Sequence, residues 1–356
     1  MATREVSPVL QKLRADGNTL YSYSKCNTIA QCPYQAYLTY IKRVKGTDSI
    51  YGLLGTVIHD TLEQIICGKA TPQDLMPALN NELELASDFG IDFPKDMRGG
   101  TSIRDNWLRS MTHFIDHFES PQGQFTTEQL VVLPVAPKRY LQGYIDLIRR
   151  NDDGTVSVFD WKTSTQFKDA ELVEHGRQLV LYALALEHQG LKVRDCAWIM
   201  LKYVQVEFDG FARSNAKQRT HIVKIMQRSK MYRDLASFVK SDMIACGYTP
   251  EMATEYTDEM IVRESLDVLP SDIRNHYKVS WYVRPYKITA ELKQEAVDYV
   301  NRMADLFESK SKNASDWPPT EITKANSFFC NSLCSYGKIC PYIRRYNQEF
   351  AEESFV

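Results

Sequence analysis

"RYLQGYIDLIRRNDDGTVSVFDWKTS", residues 139–164, is two β-rich runs around an Asp-Gly turn, the pattern of an antiparallel hairpin. If the turn centres near Asp153, residues whose numbers sum to 306 face one another, and Asp146 stands opposite Asp160. Alternation along the second strand puts Asp160 and Lys162 on one face. Opposed Cβ atoms in a sheet lie roughly 4.5–5.5 Å apart, so two carboxylates there repel unless a cation sits between them. Asp and Lys in strands usually mean a solvated surface hairpin. Here both acids sit in apolar surroundings, "GYIDLI" and "VSVFDWK", where an unpaired carboxylate is expensive. Oxygen ligands with room for water suit Mg²⁺ or Mn²⁺. A lysine two residues beyond such a carboxylate can hold an attacking water or neutralise charge developing on a phosphate.

Residues 21–45 read as a helix-rich opening segment, with Ser24 capping a first turn and Pro33 in the first turn of a second helix. Gly52 and Gly55 precede "TVIHDTLEQII", an amphipathic helix with Ile58, Leu62 and Ile65 on one face and His59 four residues before Glu63. Residues 71–120 look helical and irregular, and "TEQLVVLPV" opens the strands. After the hairpin, "DAELVEHGRQLVLYALALEHQG" is a helix closed by Gly190 that sets Gln178 and Tyr182 one turn apart. "DCAWIMLKYVQVEF" returns to strand. Residues 211–275 are expected to be a helical insertion of split charge. Arg213, Lys217, Arg219, Lys224, Arg228, Lys230 and Arg233 come first, with no acid among them, and 251–272 is mostly acidic. The basic run either follows a phosphate backbone or forms a solvated face paired with the acidic run. Then come a strand, "HYKVSWYVRPY", and a long helix, "TAELKQEAVDYVNRMADLF".

At 356 residues, with 44% hydrophobic and 25% charged residues, the chain is expected to be a soluble globular protein of one large domain or two modest ones. Net charge is −2 and the pI about 6.4, so a nucleic-acid site must be local rather than a whole-chain property. The first residues lack a secretory pattern and no apolar run approaches the ~18–20 residues of a membrane helix, so the expected location is cytoplasmic, where thiols stay reduced. Three of the eight cysteines crowd "FFCNSLCSYGKIC" as Cys330, Cys334 and Cys340, which reads as metal or cluster ligation. Thiolates suit an iron–sulfur cluster or Zn²⁺. Cys67, Cys196 and Cys246 have no partners at motif spacing and read as buried, unligated thiols.

In this order the pieces resemble the RecB-like branch of the PD-(D/E)xK nuclease superfamily, which includes CRISPR-associated and phage iron–sulfur exonucleases. The matching motifs are Gly55 with His59, Gly143 with Asp146, Asp160-Trp161-Lys162, and Gln178 with Tyr182. The resemblance spans about 21–190 and returns at 290–345. It implies an α/β, restriction-endonuclease-like mixed sheet flanked by helices, with a cluster subdomain built from both chain ends. The implied divisions are 1–50, 51–210 for the nuclease core, 211–275, and 276–356. By resemblance, His59, Asp146, Asp160 and the Trp161 carbonyl hold Mg²⁺ or Mn²⁺. Lys162 is catalytic, and Gln178 and Tyr182 contact DNA or order the site. Glu128 sits where relatives carry another acid on the first core strand. Cys32, rather than Cys26, joins Cys330, Cys334 and Cys340 around a [4Fe–4S] cluster. The C-x3-C-x5-C spacing departs from the usual C-x2-C-x5-C and keeps Zn²⁺ as the alternative. The second acid is Asp160 where many relatives have Glu.

The implied reaction is metal-dependent hydrolysis of DNA, most often single-stranded and from an end. It would serve recombination, repair, phage replication or CRISPR spacer processing in a bacterial or phage-infected cell, with a helicase, recombination or CRISPR protein as partner. The competing readings are a catalytically idle DNA-binding subunit of a helicase–nuclease complex, and a structure-specific endonuclease with zinc in place of the cluster. "KRVK" at 42–45 is a second basic patch. Tyr34, Tyr37, Tyr40, Trp161 and Tyr182 are candidate stacking surfaces for single strands, though most tyrosines should be packing.

Overall fold

The computed structural model describes residues 7–94, 102–212 and 215–353, with side chains for all of these except 211–218 and 350–353. Helix α1 (Pro8–Ala15) and the short strand β1 (Thr19–Tyr21) lead into α2 (Tyr23–Gln31) and α3 (Pro33–Ala36), which runs on as a π-helical turn over Tyr37–Ile41. Ser22, not Ser24, caps α2. It stands in extended backbone just ahead of the helix, and its hydroxyl accepts from Lys25 N at 3.1 Å. Pro33 takes the first position of α3, where its missing N–H is no loss. Helix α4 (Ile50–Ile66) starts earlier than its apolar stripe implies. Ser49 caps it, so Gly52 and Gly55 lie inside its first turns, while Ile58, Leu62 and Ile65 are buried as their spacing predicts. Helices α5 (Leu75–Asp88) and α6 (Ile103–Asp116) follow.

Strands β2 (Gln124–Ala136), β3 (Arg139–Arg150) and β4 (Val156–Lys162) form an antiparallel meander. Leu147 faces Phe159 and Arg150 faces Val156, the register in which paired numbers sum to 306. Helix α7 (Leu172–His188) crosses over to β5 (Val193–Ala212), which lies parallel to β4. Then come β6 (Asn215–Gln227), α8 (Met231–Ala245), α9 (Pro250–Arg263), α10 (Ser271–Arg274), β7 (Lys278–Pro285), α11 (Ala290–Glu308) and α12 (Pro341–Glu353). The order β1-β3-β4-β5-β6, with β2 on β3 and β7 on β5, makes one mixed seven-stranded sheet. One edge of β3 is shared: β1 pairs with residues 139–141 and β4 with 147–150. Between them the sheet opens, and the acids lie at that opening.

The first half of 211–275 is therefore a strand, not a helix. β6 pairs with β5 from Tyr203–Gln227 to Ala212–Asn215, and Ile222, Lys224 and Met226 face Phe208, Val206 and Val204. That period-two match to an apolar partner outweighs the charge pattern that read as helical. The far half of β5, β6 and α8–α10 close around their own core, including Phe208, Met231, Leu235 and Met260. The main cores lie on the two faces of the sheet. One packs α7 and α11, through residues such as Leu181 and Val300, and the other packs α4–α6, through Leu62, Leu79 and Phe114. Among the described residues no helix is long and apolar enough to cross a membrane.

Candidate active site

Pairing of β3 with β4 stops one residue short of the two acids, and the site begins there. Instead of a ladder bond, Asp146 Oδ2 accepts the Trp161 amide at 2.9 Å. The same oxygen lies 3.4 Å from His59 Nδ1, which α4 presents from the other side. Asp160 is 1% exposed, and its Oδ2 lies 2.7 Å from Lys162 Nζ, an ion pair without hydrogen-bond angles. Lys162 donates to Gln178 Oε1 at 3.2 Å, and Gln178 Nε2 donates to the Tyr182 hydroxyl at 2.9 Å. That relay fixes the orientation of the Gln178 amide. Gly143 is required beside it, because a Cβ there would lie 2.7 Å from a Tyr182 ring carbon.

The electrostatics are those of a site short of positive charge. Burial pushes the Asp160 carboxyl up to about 6, Lys162 opposes the shift, and Asp146 adds to it. Burial works against a charged His59, but the bond and charge of Asp146, with Asp160, outweigh it and raise its pKa. Burial, then Asp160, also raises the Tyr182 phenol, so it stays protonated. Both shifts favour a cation between the acids, which would offset their mutual repulsion. The donor set of two carboxylates and an imidazole, with a buried Asp160 oxygen lacking a hydrogen bond, is the chemical type such an ion takes, although among the described residues the three ligand atoms do not all lie within 4.8 Å of one another.

A family model of the PD-(D/E)XK nuclease superfamily matches residues 21–341. The chain belongs to the PD-(D/E)XK nuclease superfamily. Membership implies nucleic-acid binding and metal-dependent nuclease activity. The chain is also similar to a solved protein described as "Crystal structure of SSO0001", at 11% identity over 94% of this chain and 93% of that one. The TM-score is 0.31, too slight to carry an argument. No curated protein matches it.

Glu128 is on β2, the first core strand. It lies between the pairs Thr127–Leu147 and Gln129–Ile145, hence opposite Asp146. Its φ of 48° is left-handed, uncommon for a residue with a side chain. One further residue carries no signal in the sequence. Tyr23 of α2 lines a cavity together with Gln178 and Tyr182, and only three-dimensional proximity reveals it.

Cys32, Cys330, Cys334 and Cys340 all line one cavity of about 160 Å³. Cys26 does not line this cavity and is buried in the core that packs α7 and α11. Hydrogen bonds tie the two chain regions around the cavity: Thr320 Oγ1 donates to Gln31 O at 2.7 Å, and Tyr336 OH to Val44 O at 3.0 Å. Gly337 is needed there, because a Cβ would lie 2.3 Å from the Cys330 carbonyl oxygen. Burial pushes the Cys334 thiol up to about 11, and the Cys32, Cys330 and Cys340 sulfurs add to the rise. Four thiols gathered around one cavity fit a bound cationic centre. Among the described residues no three of these sulfurs gather within 4.8 Å, a wider spread than the ~3.8 Å that Zn–S bonds of ~2.3 Å impose on a tetrahedron.

Other expectations are corrected. Cys67 and Cys246 are exposed and only Cys196 is buried, because the first two sit at helix ends. Cys246 lies within 4.8 Å of Asp242 and His276, but the Arg219 guanidinium already bonds both Asp242 and the Cys246 sulfur. Arg228 is 2% exposed and holds Leu201 O at 2.8 Å and His113 Nδ1 at 3.0 Å, so it does not follow a phosphate backbone. Lys224, Lys230 and Arg233 are exposed, as are Lys42, Arg43 and Lys45. Arg213 and the Lys217 side chain lie outside the described residues. Tyr37, Trp161 and Tyr182 are buried and cannot stack on bases. The Trp161 ring packs against Trp281 at 5.9 Å, Tyr34 against Tyr342, and Tyr40 against Phe307.

Proposed function

We propose that the chain is a DNA nuclease of the RecB-like branch, hydrolysing single strands from an end with Mg²⁺ or Mn²⁺. One observation carries the reading: His59, Asp146, Asp160, Lys162, Gln178 and Tyr182 form one contiguous set at the opening of the sheet. His59, Asp146, Asp160 and the Trp161 carbonyl would hold the cation, which when bound lowers the pKa of water and stabilises charge on phosphate. Lys162 stands beside the acids, where an ammonium offsets negative charge growing on a phosphate oxygen. Gln178 holds Lys162 in place, and Tyr182, kept protonated, holds Gln178. A catalytically idle subunit would have no need to keep this arrangement intact. Cys32, Cys330, Cys334 and Cys340 would hold a [4Fe–4S] cluster that clasps the opening and closing segments over the nuclease core. The wide sulfur spacing favours a cluster over single zinc.

The test is cleavage of linear and circular single-stranded DNA with Mg²⁺, Mn²⁺ or chelator. Metal-dependent loss of the linear substrate alone supports the proposal. Equal cleavage of the circle means an endonuclease, and no cleavage of either, with DNA still bound, favours the idle subunit.

A further inference from the structure

The opening in the sheet continues past the acids. Among the described residues, 142–146 of β3 have no strand beside them on the edge shared by β1 and β4. Backbone groups left open inside a sheet call for some other partner. Asp146 fills one end of the opening by accepting the Trp161 amide. The other end is a cavity of about 380 Å³ whose walls include Gln142 and Tyr144 of β3, Tyr23 and Asn27 of α2, and Gln178 and Tyr182 of α7. The cavity therefore meets the Lys162 relay directly, through its last two members.

The chemistry of the walls is specific. None of the lining side chains carries a charge at neutral pH, so a phosphate entering here would find no cation. What the walls offer is amides and flat rings. Gln142 Oε1 is buried with no hydrogen-bond partner among the described residues. Asn27 adds a second amide, and Tyr23 and Tyr144 add aromatic surface. Amide groups pair with base edges and rings stack on base faces. The volume lies near the lower end of the ~300–1,000 Å³ of small-ligand pockets, so it holds one nucleoside rather than a base pair.

We propose that this cavity receives the unpaired base and sugar of the nucleotide next to the scissile phosphate. Selection of single-stranded or frayed ends then follows, because a base must leave its pair to enter. The inference rests on the nuclease reading above, and its test separates the two.

The variant is Asn27→Ala with Gln142→Ala, assayed on a linear single-stranded oligonucleotide and on the same strand with one abasic position at the cleaved bond. Loss of two amide contacts is expected to raise KM about 10-fold on the intact strand, with kcat within about 2-fold. The abasic strand should show the same rise in KM for the wild type and no further rise for the variant. Equal KM for variant and wild type on the intact strand, or an equal abasic penalty in both, overturns the proposal and leaves the nuclease reading standing. If the wild type cleaves no nucleic acid, that reading fails. The cavity is then judged by calorimetry with deoxyadenosine monophosphate: binding about 10-fold weaker in the variant supports it, and equal binding, or none to either protein, overturns it.

Discussion

Replacing Asp160 by Asn should stabilise the protein while abolishing cleavage. Asp160 is 1% exposed, and burial raises its pKa from 3.8 to about 6 even with Lys162 beside it. A carboxyl with a raised folded pKa binds its proton more tightly in the native state than in the unfolded chain. Its contribution to stability is therefore complete below pH ~3.9 and lost as pH rises through about 6. Above that, the native protein carries a charge that disfavours folding by roughly two pK steps, about 3 kcal/mol at 1.36 kcal/mol per unit. Asn keeps the shape without the charge. Leaving Lys162 unpaired takes back part of the gain, so the net is about 1–3 kcal/mol, or about 2–6 °C in melting temperature for a chain of this size. The assay is thermal unfolding of both proteins in chelator from pH 4 to 8. The gap should be near zero at pH 4, grow through pH 6, and narrow when Mg²⁺ is added, because the cation stabilises only the wild type. An Asp160→Asn protein that melts no higher than wild type at pH 7.5, or a gap that does not change with pH, would refute the reasoning.

Lys162→Met should lower turnover by about 10²–10³-fold while DNA binding stays within a few fold, measured by single-turnover cleavage and fluorescence anisotropy. Gly143→Ala places a methyl 2.7 Å from the Tyr182 ring, which must shift and disturb Gln178 and Lys162. We expect about a 10-fold loss of kcat, and adding Tyr182→Phe should not relieve it, because the clash is with a ring carbon and not the hydroxyl. Cys330→Ala should abolish the iron content and the broad absorption near ~400 nm of anaerobically purified protein. Cys26→Ala, outside that cavity, should leave both intact.

Much of the site was legible because a hairpin converts numbering into geometry. One Asp-Gly turn fixed the register that sets Asp146 by Asp160, and helical spacing delivered Gln178 and Tyr182 together. What stayed hidden depends on contacts between distant segments. β6 read as helix because its lysines and arginines stand out, whereas its fate is decided by an apolar partner strand. Arg228 looked like part of a phosphate-binding run, yet it is buried under α6, its charge lowered to a pKa of about 9 by burial. Ser24 and Ser22 are equally good caps by residue type, and only the turn into α2 chooses between them. No local pattern marks the opening between β1 and β4, because it is made by where two strands stop.

The convergence of Cys32 with Cys330, Cys334 and Cys340 bears on biosynthesis. At about 5–20 residues per second, the ribosome takes roughly 15–60 s to travel from the first of these cysteines to the last. During that interval the hairpin with Asp146 and Asp160 has already emerged, while α11, which covers α7, and the segment that meets Cys32 have not. A newly made chain thus holds the acids of the proposed active site before it holds the packing that sets them. Under the proposed function, activity arrives with the final stretch of translation, and products stalled short of Cys340 lack one of the four thiols around the cavity.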